Sequence, residues 1–382
     1  MEYEYKKLSE LGRVVTGKTP PTENSEYYDG DYPFITPSDI ESFDEKYLLA
    51  TERSLSDLGA QELGSLVLPP QSICFVSIGS TIGKMCKTHK RSYTNQQINT
   101  LVPNENYDSD YLFYFLRYIK SYFQSIGGGT GSGKGIVNKT VFSKTKVNVL
   151  KDKTCQHKMA SVLSAYDNLI EVNNKRIKVL EEMAENLYKE WFVRFRFPGH
   201  ETAEFENGIP RGWNITRCKD IVPVLTGKKD ANYGDDGGPY PFFTCAQEPI
   251  QAPDYSFDCA AVLLAGNCDL NAKVYKGKFE AYQRTYVLSP HNITHLFLLY
   301  YVIKDNVERL KQASTGAAIS FITKGMIERI HFLLPPNELL VRFHGIMDDL
   351  YTQKDVLMKL NKNLIKQRDL LLPRLMSGKL EV

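Results

Sequence analysis

The stretch 156–195 constrains this chain more than any other part of it. From His157 it reads HKMASVLSAYDNLIEVNNKRIKVLEEMAENLYKEWFVRF, without a Gly or a Pro. Apolar residues recur at alternating steps of four and three: Met159, Leu163, Tyr166, Ile170, then Ile177, Leu180, Ala184, Leu187 and Trp191. That is the heptad seam of a coiled coil. Its one polar member, Asn173, is a residue type that fixes register at some cost in stability. Pro198 and Gly199 predict the end of the helix. At 1.5 Å per residue the helix is roughly 55–60 Å long, well beyond an ordinary globular helix. A helix of that length works as a spacer.

The segments it separates are two copies of one design. VVTGK (14–18) is answered by VLTGK (224–228), YPFIT (32–36) by YPFFT (240–244), and YLFYFLRYI (111–119) by HLFLLYYVI (295–303). The first copy reads as strands over 32–36, 72–78 and 146–150 with a helix over 110–124. Its glycine-rich run GGGTGSGKG (127–135) with IVNKT (136–140) is answered by STGAAISFITKG (314–325). From Leu112 to Leu296 the offset is 184 residues. Applied to the seam, it maps Leu163 to Met347, Tyr166 to Leu350, Leu180 to Leu364, Leu187 to Leu371 and Trp191 to Leu375. A second long helix is therefore predicted over 337–376. Asn361 and Arg368 interrupt its seam, and Pro373 strains its last turn.

The expected organisation is a globule over 1–152, a long helix over 153–198, a globule over 199–336 and a second long helix over 337–382. The expected fold class is α+β: two pseudo-symmetric globular mixed α/β domains separated by two long antiparallel coiled-coil helices. Matching seams bury against each other. Leu163, Ile170, Asn173, Ile177, Leu180, Leu187 and Trp191 supply one side of that core; Met347, Leu350, Leu357, Leu364 and Leu371 supply the other. The alternative is that each helix packs only on its own globule. Tyr188 and Phe192 lie off the seam and are candidates for docking a partner helix.

A net charge of +2 excludes a polycation, so any nucleic-acid binding must come from local patches. Hydrophobic content of 42% with 12% aromatics describes a globular chain. No apolar run approaches the 18 residues of a membrane span, and MEYEYKK is too charged for a secretory signal. Seven scattered cysteines without a CxxC read as reduced thiols in a cytoplasm, with no zinc site and no disulfide framework.

Catalytic motifs are not apparent. Gly128, Gly133 and Lys134 match the start of a phosphate loop, but Gly135 stands where a Ser or Thr must bind magnesium. No Asn/Asp-Pro-Pro-aromatic motif or AdoMet loop is present. His291 and His295 stand four apart with no third metal ligand, and read as surface or cap residues. No active site and no metal site are expected in this chain.

Nucleic-acid binding has better support. Lys84, Lys87, Lys90 and Arg91 cluster around a turn beside Tyr93, Asn95, Gln96 and Gln97. The second copy offers Lys273, Lys276 and Arg284. Lys and Arg contact phosphates, while Asn, Gln and Arg read base edges. Lys18, Lys228 and Lys229 follow matching Thr-Gly pairs. Thr130, Ser132, Lys134 and Lys139, with Thr315 and Lys324, belong to the glycine-rich loops, whose backbone can approach a phosphate closely. A solvated hairpin explains the lysines, and a structural turn the glycines, equally simply.

The chain resembles the specificity subunits of type I restriction–modification enzymes over essentially all its 382 residues. The resemblance rests on LEEMAENLYKEWFVRF (180–195), IPRGWNITRCKDI (209–221) and QRDLLLPRLMSGKLEV (367–382), in that order. It implies that the globules are DNA-recognition domains, each reading half of a bipartite double-stranded site. It implies that the long helices space them and bind two modification (methyltransferase) subunits, joined by restriction (nuclease and translocase) subunits. AdoMet, ATP and Mg would sit on those partners, with no cofactor on this chain. The competing reading is a two-domain coiled-coil adaptor that binds proteins and has no DNA specificity.

Overall fold

The first long helix occupies Lys153–Tyr188 in the computed structural model, which describes residues 2–40, 46–48, 50–127, 135–235, 237–267, 270–314 and 321–381. Asp152 starts it: its carboxylate accepts the Thr154 N–H at 3.0 Å, satisfying one of the free donors at a helix N-terminus. The second long helix occupies Asn337–Met376 and passes through Pro373 in its last turn. The chain divides into two units, residues 1–175 with 357–382, and residues 176–356. Each unit is a globule together with parts of both helices.

In the first unit the central strand, Ile73–Val76, is apolar and buried along its whole length. Such a run suits an interior strand covered on both faces. Around it stand, in order, Gly12–Thr16, Ile98–Pro103, Ile73–Val76, Met85–Thr88 and Tyr47–Leu48. A second sheet sets Tyr28–Ile35 between Arg53–Leu55 and Tyr93–Thr94. Tyr3–Lys7 pairs with Lys146–Leu150. The helix predicted over 110–124 is two helices, Ser109–Tyr118 and Lys120–Gly127. Asp108 caps the first by accepting the N–H groups of Asp110 and Tyr111, both at 2.9 Å. Tyr111, Leu112, Phe115 and Leu116 then share one core with Met159, Leu163, Leu372 and Leu375 of the long helices.

The second unit repeats the plan. Its six-stranded sheet runs Val224–Thr226, Thr285–Leu288, Phe257–Ala265, Ala272–Ala281, Tyr240–Phe243, Ile250–Ala252. Asn214–Arg217 pairs with His331–Leu334, as Tyr3–Lys7 does with Lys146–Leu150. Helix Leu296–Ser314 packs its apolar face on Tyr188, Trp191, Phe192, Phe343 and Met347.

Within each unit the two long helices are antiparallel. In the first, Asn173 bonds Asn361 at 2.8 Å and Asp167 bonds Arg368 at 2.7 Å, so rising numbers on one helix meet falling numbers on the other. In the second, Glu181 meets Lys354 at 2.6 Å, and the Trp191 ring lies 5.8 Å from Phe343. Leu163, Ile170, Asn173, Trp191, Met347, Leu357 and Leu364 are buried. Ile177, Leu180, Leu187, Leu350 and Leu371 are half-buried.

Three expectations need correction. The buried position beside Leu163 belongs to Asp167; Tyr166 is only half-buried. The helix does not reach Pro198: after Tyr188 it widens into a π turn, Lys189–Val193, and Phe195 takes a left-handed φ of +57°. Tyr188 and Phe192 are not free to dock a partner. Tyr188 stacks on Tyr301 at 4.8 Å and donates to Asp305 at 2.9 Å, while Phe192 meets Phe343 at 4.6 Å. Helix Leu296–Ser314 and the second long helix cover what the seam leaves open. Within each unit the helices thus pack on each other as well as on the globule, so the alternative in which each packs only on its own globule does not hold.

Candidate nucleic-acid interface

Gly17 ends the strand Gly12–Thr16 pressed against a neighbouring chain segment. A Cβ there would lie 1.9 Å from the Thr94 carbonyl oxygen, so only glycine fits. The Lys18 N–H then donates to Thr94 O at 3.1 Å, and Thr19 Oγ1 donates to Gln96 Oε1 at 2.8 Å. Lys18 is thereby held exposed beside the polar loop 94–97. Inside that loop the Asn95 carboxamide oxygen accepts the Gln97 N–H at 3.0 Å. Asn95 and Gln97, with Thr36, Ser38 and Arg53, line one cavity of about 610 Å³.

The second unit builds the same turn. A Cβ on Gly227 would lie 2.1 Å from the Ala281 carbonyl oxygen. Its N–H donates to Thr285 O at 3.0 Å, and the Lys229 carbonyl accepts the Gln283 N–H at 2.9 Å. Lys228 and Arg284 are exposed, and the Lys229 ammonium stands 4.1 Å from the Tyr233 ring centre. The YPF strands sit alike in both: Ile35 pairs with Thr94 and Phe243 with Ala281, each in parallel.

The exits of the glycine-rich loops join these turns. Ser77 N–H donates to Gln97 O at 2.9 Å, and its carbonyl accepts Val137 N–H at 2.9 Å. In the second unit Gly266 N–H donates to Arg284 O at 2.8 Å, and its carbonyl accepts Ile322 N–H at 3.0 Å. Lys139 and Lys324 follow within two residues and are exposed; Lys324 lies 3.6 Å from Glu328. Thr130, Ser132, Lys134 and Thr315 lie outside the described residues.

Other candidates are engaged elsewhere. Lys87 is buried, and its ammonium bonds Asp110 and, at 3.1 Å, Ser109. Burial pulls its pKa down, although Asp110 opposes this. Burial raises that of Asp110, but the bonds and charges of Lys87 and Lys46 outweigh it and hold the carboxyl below its ordinary range. Lys87 therefore cannot serve as a phosphate contact in this fold. Lys84 donates to the Ile40 carbonyl at 3.1 Å. Lys273 donates to the Ala246 carbonyl at 2.8 Å, and Lys276 pairs with Asp348 against the Phe297 ring. Lys90 and Arg91 are exposed, with Arg91 donating to Tyr93 Oη at 3.2 Å over the Tyr32 ring. Sequence reasoning missed Arg53, Thr36 and Ser38. Thr36 closes the repeated YPFIT; nothing in the sequence marks Arg53.

Among the described residues no group of three or more His, Cys, Asp or Glu could hold a metal ion, and no helix is long and apolar enough to cross a membrane. What the two turns offer is a set of exposed ammonium and guanidinium groups beside carboxamides, chemistry suited to phosphates and base edges.

Residues 1–182 and 210–367 match the family described as the type I restriction modification DNA specificity domain. The chain is similar to the type I restriction enzyme MjaIX specificity subunit of Methanocaldococcus jannaschii, 26% identical over 428 residues, covering 100% of this chain and 94% of that one. It is similar to the EcoDI specificity subunit of Escherichia coli at 43% over 131 residues, which cover 34% of this chain and 29% of that one. Its fold is like that of the crystal structure of a type I restriction–modification system S subunit from M. genitalium, with a TM-score of 0.65 at 14% identity, over 98% of this chain and 96% of that one.

Proposed function

The chain belongs to the type I restriction–modification DNA specificity family, and on that premise we propose that it chooses the DNA sequence on which a modification and restriction assembly acts. Each globule reads one half of a bipartite site. The long helices fix the gap between the halves and dock two modification subunits, which restriction subunits join. AdoMet, ATP and Mg belong to those partners, and this chain carries no catalytic step. Its work is in the cytoplasm, where DNA and reduced thiols coexist.

The observation that supports this reading most is the recurrence of one turn. Twice, a Thr-Gly-Lys segment is clamped by its glycine to a polar loop, and twice that loop is tied to the chain just after the glycine-rich run 127–135 or its counterpart 314–320. Two similar readers in one chain suit two half-sites. The experiment is methylation mapping of genomic DNA from cells carrying this chain with its modification subunits. One motif with an internal gap is expected. Exchanging residues 1–150 for those of a related chain should then change one half only. A motif without a gap, or a change in both halves, would refute independent reading. Absence of salt-dependent DNA affinity in the assembled complex would favour the adaptor reading.

A further inference from the structure

The duplication that builds this chain creates a hazard. The seams of the two long helices are related by the same 184-residue offset as the globules. A first helix could therefore pair with the first helix of another copy almost as well as with the second helix, as far as Leu163, Met347, Leu187 and Leu371 are concerned.

We propose that two buried polar pairs, Asp167 with Arg368 and Asn173 with Asn361, select pairing of the first helix with the second and exclude pairing of either with its own kind. Asp167 and Arg368 expose 4% and 1% of their side chains, and their bond is 2.7 Å long. Tyr114 of the globule donates to the other Asp167 oxygen at 2.5 Å, and Asp369 takes two further bonds from the guanidinium at 3.0 and 2.8 Å. Asn173 donates to Asn361 at 2.8 Å, and Asn361 donates to Asn174 at 2.8 Å.

The offset shows what a wrong partner would bring. A second copy of the first helix presents Ala184 where Arg368 stands and Ile177 where Asn361 stands. A second copy of the second helix presents Tyr351 for Asp167 and Leu357 for Asn173. Both wrong pairings strip a buried charge of its counter-charge across the seam and face an asparagine with an alkyl side chain. An uncompensated buried charge is strongly unfavourable, whereas a well-packed apolar replacement of the pair is often neutral or stabilising. A single buried asparagine is known to fix register and oligomer state in coiled coils, and buried polar residues add to pairing specificity. The polar pairs thus add selectivity where the apolar seam has little.

The test uses the full chain and its variant Asp167→Leu, Asn173→Leu, Asn361→Leu, Arg368→Leu. Light scattering counts chains per particle. Amine cross-linking of a mixture of isotope-labelled and unlabelled chain, read by mass spectrometry, shows which helices adjoin. For the native chain we expect one chain per particle, with Lys175 linked to Lys359 or Lys362. For the variant we expect an unchanged or raised Tm, two-chain particles, and new labelled-to-unlabelled links from Lys175 to the second copy's Lys178. A variant that stays single with only first-to-second links overturns the proposal, as do like-with-like links in the native chain. If the fourfold variant does not fold, Asn173→Leu with Asn361→Leu and, separately, Asp167→Leu with Arg368→Leu decide: a rise in like-with-like links over the native chain in either supports the proposal, and no rise in both overturns it.

Discussion

Replacing Phe192 by Ala is expected to cost about 3–5 kcal/mol of stability. The ring is buried between Phe343 at 4.6 Å and Trp213 at 5.8 Å, so truncation leaves a cavity among rigid aromatic rings. Chemical denaturation checks it; a shift under about 1 kcal/mol would mean the site collapses or stays open to solvent. Glu185 tests electrostatics at the same scale. Hydrogen bonds from Lys189 and Lys304 hold its carboxyl at about 2. The folded pKa lies below the unfolded value of about 4.3, so the stability it contributes is present above that value and lost as pH falls through the folded one. Its side chain is 36% exposed, so solvent screens the pairs and the effect is small. Glu185→Gln should lower Tm slightly near neutrality, with the two curves converging near pH 2; parallel curves throughout would contradict this. Single residues were also where the sequence misled most. Lys87 beside a basic turn reads as solvated, yet Asp110, which sits far along the chain on a helix, buries it. Asp167 reads as a surface acid until Arg368 is placed opposite. Counter-charges supplied by distant segments leave no local pattern.

Elements were easier to read, because periodicity is local. The heptad seam predicts both long helices, and Asn337–Met376 has the bounds that the 184-residue offset implies. The break between Tyr118 and Lys120 was not legible, since no Gly or Pro marks it. The π turn at Lys189–Val193 was missed as well: helix propensity stays high there, and the change of path is set by the rings of Trp191 and Phe192 entering the core. The repeated Thr-Gly-Lys turn was legible as a repeat but not as a close approach, which only coordinates reveal. It makes a prediction for the element. Gly17→Ala or Gly227→Ala forces the backbones apart, because each Cβ would fall about 2 Å from a carbonyl oxygen. Overpacking of this kind costs about 1–3 kcal/mol. Each variant should also weaken DNA binding by displacing Lys18 or Lys228. By contrast, Lys228→Ala should leave Tm unchanged and reduce the slope of log affinity against log salt by about 0.9, as for one lost phosphate contact. A Lys228→Ala chain with the native salt slope, measured in the assembled complex, would remove that turn from the interface.

At the scale of the whole molecule, length becomes the variable. A helix rises about 1.5 Å per residue, so one heptad adds about 10.5 Å, close to three base pairs of duplex at 3.4 Å each. Inserting a heptad into one long helix alone should do damage only. It would offset Asn173 from Asn361 and Asp167 from Arg368, leaving buried polar groups without partners. Inserting one heptad into each helix between the polar pairs and the second globule, at matched positions such as after Lys178 and before Leu357, keeps both pairs and the Glu181–Lys354 contact in register. Under the proposed function, that paired insertion should lengthen the gap in the methylated motif by about three base pairs while both half-sites stay as they were. The measurement is again genomic methylation mapping, with native, single-insertion and paired-insertion chains expressed alongside the same modification subunits. An unchanged gap in a folded paired-insertion chain would mean that something other than the helices sets the spacing. A changed half-site would mean that the globules do not read independently of the helices that carry them.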